Sequence, residues 1–458
     1  MASLTTSSGA SRLASVALVA LKCAVSAWAL HVGFTHVSDD DYARVTIAQA
    51  FVHAPHVDPS GTSWLPFPFW LNGVVMMALG RSLAVARGVA IASAVVGAIV
   101  VHRTLLRVGV RPWAAFVGVA VAMGTPWSTW LGVATVPEAL CAALIATGAL
   151  CLAGVRSPRS IAWPLNRWIG GVALAIACLS RYEAWPVAAV FAVGCAVSAF
   201  AARDEAPDGD NRERWLDLLA GALSCAGPIA WLCWNAHVHD DAMHFLARVA
   251  AYRVRVTNVT TPVSSTLYPE TFVHAGPLTL ALAACGAPGA LFDRDLRRRW
   301  AWPLLAILAL VVFLVEGDLH NGAPTHHPER ALLAVFWMAS MFGVDGARSL
   351  AVRFVWGHPK RETWMVGGVA TLAVAWLLTW PSRIADYPAR SEPEDRASQI
   401  SRGTDLRLRS VPHVTVTPCA YEHFALIAAF EAPERVTVAP APSSPEAGSG
   451  TCPRVDER

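Results

Sequence analysis

The chain has 458 residues, 55% hydrophobic and only 15% charged, where a soluble globular domain carries roughly 25% charged residues. Its mean hydropathy is +0.44 and its net charge +3. Apolar runs recur from end to end and no Lys/Arg cluster alternates with aromatics, so the chain reads as an all-α polytopic membrane protein whose partner is the lipid bilayer, with no nucleic acid.

The first run, residues 13–34, opens after Arg12 and is long for the core of a secretory signal peptide, so it reads as a span. A polar loop follows, with Ser38-Asp39-Asp40-Asp41-Tyr42-Ala43-Arg44 a few residues beyond the bilayer surface. Like charges this close repel, and ionising all three carboxyls in a partly dry site is costly. Next comes Trp64-Leu65-Pro66-Phe67-Pro68-Phe69-Trp70, apolar to Gly80, with two prolines near its start. It is short for a span and reads as either a crossing or an interfacial helix.

Taken as interfacial, it leaves eleven spans: about 13–34, 84–101, 113–126, 138–155, 168–181, 184–201, 215–236, 276–292, 300–316, 331–345 and 364–381. Each of the five inner loops then holds three or four Lys/Arg, seventeen in all, against eight on the outer side before the tail. Letting 64–80 cross reverses that bias. The positive-inside rule therefore puts the N-terminus in the cytoplasm and the C-terminus outside.

This topology gathers Asp39 to Asp41, Glu138, Arg181, Glu183, His327 and Arg330 at outer loops or outer span ends. Ionisable groups beside apolar helices are functional candidates by default. Glu138 follows Pro137 at a helix start, where the helix dipole alone also accounts for an acid. His326 and His327 are adjacent, share no helix face and have no third ligand at fixed spacing, so no metal site is assigned. The ten cysteines show no CxxC; eight lie in apolar runs, and Cys419 and Cys452 are a candidate disulfide if the tail is outside. The outer loop 237–275 holds a short amphipathic stretch from His239 to Arg248, and Asn258-Val259-Thr260 matches the N-glycosylation pattern. Residues 1–381 form the transmembrane domain. Residues 382–438 read as a small extracytoplasmic α/β appendage, with strands at 414–416 and 436–438 and a helix at 421–430 between them. Residues 439–458, rich in Pro, Ser and Gly, read as disordered.

An opening span, an acidic first loop, a Pro-aromatic helix in the same loop and a span with Arg at its outer end make a recognisable order. It resembles the GT-C glycosyltransferases, the polyprenyl-phosphate-sugar-dependent group that includes protein O-mannosyltransferases and lipid A aminoarabinose transferases. Ser38-Asp39-Asp40-Asp41-Tyr42 resembles that family's Asp-Asp or Asp-Glu motif, and Trp64 to Leu71 stands where the family has a His-Pro-Pro-aromatic segment, here without the His. The resemblance covers about residues 13–345. It implies an integral-membrane glycosyltransferase that moves a monosaccharide, mannose being one candidate, from a polyprenyl-phosphate donor to a lipid, glycan or protein acceptor. It implies a general base among Asp39, Asp40 and Asp41, Asp40 first. Arg87, Arg181 and Arg330 become candidates for the donor phosphate, and Glu183, His327 and Glu138 for donor or acceptor contact. A divalent cation at Glu138 is left open. The site is expected between the first loop and the 237–275 loop, with spans 84–101 and 215–236 holding the lipid chain. An Ala/Arg-rich, Lys-poor composition points to a bacterial inner membrane and a periplasmic site. Two alternatives stand beside this reading: a lipid or solute transporter, which polar residues at span ends and the lack of an internal repeat disfavour, and a catalytically silent scaffold.

Overall fold

The computed structural model describes residues 7–153, 163–205, 211–257, 265–320, 327–354, 380–391, 396–417, 423–439 and 454–457. The apolar runs become helices α1 (Ser7–His31), α4 (Leu83–Arg107) and α15 (Arg294–Leu319), with α2 (Asp40–His53) and α3 (Phe67–Leu79) in the first loop. Between α4 and α15 come α5 (Pro112–Gly124), α6 (Pro126–Leu131), α7 (Glu138–Leu150), α8 (Trp163–Cys178), α9 (Ala184–Glu205), α10 (Asn211–Ser224), α11 (Ala226–His239), α12 (His244–Thr257), α13 (Leu267–Ala275) and α14 (Pro277–Phe292). α16 (Leu333–Phe354) follows α15.

Among the described residues, three helices are long and apolar enough to cross a membrane: residues 11–31 of α1, α4 and α15. A 25-residue helix such as α4 reaches about 37 Å at 1.5 Å per residue, more than the hydrocarbon thickness. Leu13, Val16, Val96, Leu308 and Val312 lie exposed on these helices, an apolar surface suited to lipid. The protein is an integral membrane protein. The expected span 215–236 is a bent pair, α10 and α11 meeting at 44°, while the expected span 276–292 is α14, which meets α13 at 95°. Helices α5, α7, α8 and α9 are shorter apolar helices, and most of the expected span 364–381 lies outside the described residues. Against the expected eleven crossings, the described residues hold three helices that meet this length and composition, or up to five with each bent pair taken as one.

Helix α7 is apolar on every side below Glu138 and is almost wholly buried, as an all-round hydrophobic helix must be. Close approach elsewhere depends on glycine. A Cβ added at Gly286 of α14 would lie 2.7 Å from the Cα of Gly343 of α16, so that crossing tolerates no side chain there. At one end of the bundle Asp345 of α16 accepts from Arg299 (2.6 Å) and Trp300 (3.0 Å) of α15, a charged tie inside an apolar contact.

The segment before α3 and the segment that carries α12 dock on each other. Phe245 of α12 stacks on Tyr182 at 4.6 Å between ring centroids and packs with Leu65 and Trp231, while Arg248 donates to the Gly61 carbonyl at 2.7 Å. The tail supplies α17 (Arg396–Leu408), β1 (Val414–Thr417), α18 (His423–Phe430), β2 (Val436–Val438) and β3 (Arg454–Glu457). The sheet order is β2-β1-β3, with β1 parallel to β2 and antiparallel to β3. Strand β3 lies in the stretch expected to be disordered. Arg454 to Glu457 pair with β1, and Val455 packs against the apolar cluster of Leu406, Val414 and Val416, a local burial that the surrounding Pro/Ser/Gly composition masks. Cys419, Cys452, Asn258 and His326 lie outside the described residues. The appendage is not free: Ala425 and Ala428 of α18 pack on Tyr42, Val45 and Ala48 of α2, and Gln49 donates to the Ala428 carbonyl at 2.8 Å.

Candidate active site

Helix α2 begins inside the acidic motif, and consecutive helical residues point about 100° apart. The three carboxylates therefore face three different surroundings. Asp39 stands at the N-cap position but does not cap the helix; its two oxygens take Nε and Nη2 of Arg396, from α17, both at 2.8 Å. Asp41 is buried and accepts backbone N–H groups from Val37 (3.1 Å), Ser38 (3.4 Å) and Thr135 (2.9 Å). Burial pushes its carboxyl above the ordinary range, against the pull of His36, Arg330 and those N–H groups. Asp40 keeps 31% of its side chain exposed and meets Arg330 Nη1 at 3.1 Å. The like-charge conflict expected of three adjacent acids is thus relieved by orientation and by separate partners.

The first turn of α7 brings Glu138 into the same place. Its Oε1 accepts from Arg330 Nε at 2.8 Å and from Arg181, and Arg181 also binds both oxygens of Glu183. Arg330, in the turn Pro328–Arg330, reaches Ser38 Oγ at 3.1 Å as well, so this one guanidinium ties the first loop to the head of α7. Burial works against the Arg330 cation, but Glu138 and Asp40 overcome it and hold it charged. The fourth titratable wall is Arg44, one turn after Asp40 on α2. It is 8% exposed, its Cζ sits 4.4 Å from the Trp64 ring centroid, and its Nε and Nη1 meet no acceptor. Burial lowers its guanidinium to about 10, with Glu138 and Asp40 acting to raise it. Glu138 Oε2 is likewise buried without a partner.

An apolar groove of about 550 Å³ lies among α3, α4 and α7. Its walls include Phe67 and Leu71 of α3, Val89 and Val96 of α4, and Leu140 and Leu144 of α7. Leu140 is two residues beyond Glu138 on α7 and Phe67 three residues beyond Trp64, while the charged side chains of the cluster are not among the groove's lining residues.

Of the candidates read from sequence, Asp40, Glu138, Arg181, Glu183 and Arg330 come together in one ionic cluster. Asp39 and Asp41 flank it on their own partners. Arg87 stands apart, donating to the Thr35 carbonyl, and His327 lies against Trp127 with ring centroids 5.8 Å apart. Residues 215–236, expected to hold the lipid chain, do not line this groove, which uses α3, α4 and α7 with Ile176. Nor do residues 237–275 build the charged cluster; the turns at 181–183 and 328–330 do, because they carry the paired Arg and Glu side chains. Sequence reasoning missed Arg44, whose spacing four after Asp40 was a usable signal, and Arg396, whose distance along the chain left none. No group of three His, Cys, Asp or Glu suited to a metal ion occurs among the described residues.

No protein-family model matches the chain, and no curated protein matches it in sequence. Solved structures do. ArnT from Cupriavidus metallidurans in the apo state superposes with a TM-score of 0.52 at 15% identity, over 92% of this chain and 74% of that one. The same protein bound to undecaprenyl phosphate gives 0.51 at 14% identity, over 92% and 75%. The Archaeoglobus fulgidus oligosaccharyltransferase complex with Zn and sulfate gives 0.45 at 15% identity over 85% of this chain and 55% of that one, so the chain spans about half that protein's length. The ArnT likeness shows a shared fold, the GT-C fold.

Proposed function

We propose that this GT-C chain is a membrane glycosyltransferase that moves a monosaccharide from a polyprenyl-phosphate donor to a hydroxyl of a lipid, glycan or protein acceptor outside the cytoplasm. The observation that carries the reading is a buried ionic cluster with one accessible carboxylate, Asp40, headed by the same helix α7 that walls an apolar groove. An amphiphile with a long apolar chain and a charged head would use both features. The undecaprenyl phosphate bound to the ArnT of the same fold is such a molecule.

In the proposed reaction the acceptor oxygen forms its bond to the anomeric carbon as the bond from that carbon to the phosphate oxygen breaks. The phosphate leaves with the electron pair, and configuration inverts. Asp40 takes the acceptor proton, the role of a general base worth about 10²–10⁴-fold in rate. Its neighbours support this choice by contrast: Asp39 is committed to Arg396, and Asp41 to three backbone N–H groups. Glu138 holds Arg181 and Arg330 in register, and Arg330 orients Asp40. Mannose is the first sugar to try, and a periplasmic face the first location.

The test is purified protein in lipid nanodiscs, incubated with a panel of polyprenyl-phosphate sugars and candidate acceptors, with release of free polyprenyl phosphate as the readout. The reading expects turnover with at least one donor. Binding of no donor together with no release overturns it.

A further inference from the structure

The cations of the cluster are unequally engaged. Arg330 spends its three nitrogens on Glu138, Ser38 and Asp40. Arg181 spends its own on Glu138 and Glu183. Arg87 is held by the Thr35 carbonyl. Arg44 differs: it is 8% exposed, yet two of its guanidinium nitrogens face no acceptor. A buried cation with dry, unmet donors is unfavourable, and a bound anion offsets that cost.

The surroundings say what kind of anion fits. Trp64 covers the guanidinium at 4.4 Å and Phe69 adds a second ring at 5.7 Å, which excludes water and strengthens any ionic contact beneath. A planar fork of N–H donors matches two oxygens of a phosphate. The segment that carries Trp64 continues into Phe67 and Leu71, which line the apolar groove. Asp40, one turn earlier on the same helix, lies on the reacting side.

We propose that Arg44 is the ligand of the donor's lipid-linked phosphate, gripping it beneath Trp64 while Arg181 and Arg330 stay locked in their ion pairs. This rests on the glycosyltransferase reading, and it adds a residue to the site that the Arg pairs alone do not supply.

The experiment measures binding of undecaprenyl phosphate, and separately of inorganic phosphate, to wild type, Arg44→Gln and Arg44→Lys in nanodiscs, along with Tm of the lipid-free protein. Arg44→Gln should weaken undecaprenyl phosphate binding about 10- to 100-fold, the scale of charge-assisted hydrogen bonds lost. Arg44→Lys should lose less, keeping charge but not the fork. Lipid-free Tm should fall less in Arg44→Gln than in Glu138→Gln, since the cation it removes has donors that meet no acceptor. Wild-type affinity in Arg44→Gln overturns the assignment and leaves the enzyme reading standing. A lipid-free Tm that falls as far in that variant as in Glu138→Gln marks a structural ion-pair role and also overturns it. Inorganic phosphate bound as tightly as the lipid overturns the claim that the phosphate is lipid-linked. Wild type that binds no undecaprenyl phosphate overturns the assignment and the enzyme reading together.

Discussion

Glu138→Gln removes one charge and almost no volume. The carboxylate it replaces is fully buried and serves Arg181 and Arg330, whose side chains are 16% and 7% exposed. Counting Arg44, the cluster balances three cations against Glu138, Glu183 and Asp40. The variant leaves it with one buried positive charge in excess. Breaking a buried pair by removing one partner costs about 3–5 kcal/mol. With an unfolding entropy of roughly 2.1 cal/mol/K per residue, 458 residues give about 1 kcal/mol/K, so Tm should fall by about 3–5 °C. The assay is thermal unfolding of purified protein in one detergent, wild type beside variant. Adding Arg44→Gln restores the balance of charge and should recover part of the loss. A single variant as stable as wild type, or a double variant less stable than the single, would refute the charge balance drawn here.

Three more outcomes follow from other parts of the molecule. Arg396→Ala should loosen the appendage from α2, costing about 1–3 kcal/mol for a lost charge-assisted pair and lowering kcat more than donor affinity. Arg396→Lys should restore part of kcat; equal loss in both variants argues against a positioning role. Gly88 lines the groove and a Cβ there meets open space, so Gly88→Phe should fold normally and raise KM for a long-chain donor about tenfold. A short-chain donor that is hurt equally would show that the chain does not lie there. Thr135→Val removes the hydroxyl that donates to the Asp41 carbonyl at 2.7 Å, with an expected cost of about 1 kcal/mol in thermal unfolding.

Much of this was legible in the chain because hydropathy and charge bias are local. The apolar runs identified the membrane class, and the Arg bias put Asp40, Glu138, Arg181, Glu183 and Arg330 on one side, where five of the predicted residues indeed form one cluster. What the residues could not show is pairing across hundreds of positions. Nothing near Asp39 announces Arg396, 357 residues on, and nothing in the tail's composition announces that α18 packs on α2. Span boundaries failed for another reason. Hydropathy reads through a bend, so 215–236 looked like one straight helix although its chain turns by 44° at Cys225. Asp40 was first among three acids in sequence, and the contrast between its partners and those of Asp39 and Asp41 supplies a physical reason that spacing alone lacked.

The central claim concerns one accessible carboxylate, Asp40, in a buried ionic cluster. The most direct measurement is single-turnover sugar transfer from a polyprenyl-phosphate donor by Asp40→Asn protein whose donor binding has been checked in the same sample. The account predicts binding within about threefold of wild type and transfer slowed by about 10²–10⁴-fold. Transfer at the wild-type rate, with donor bound, would contradict it.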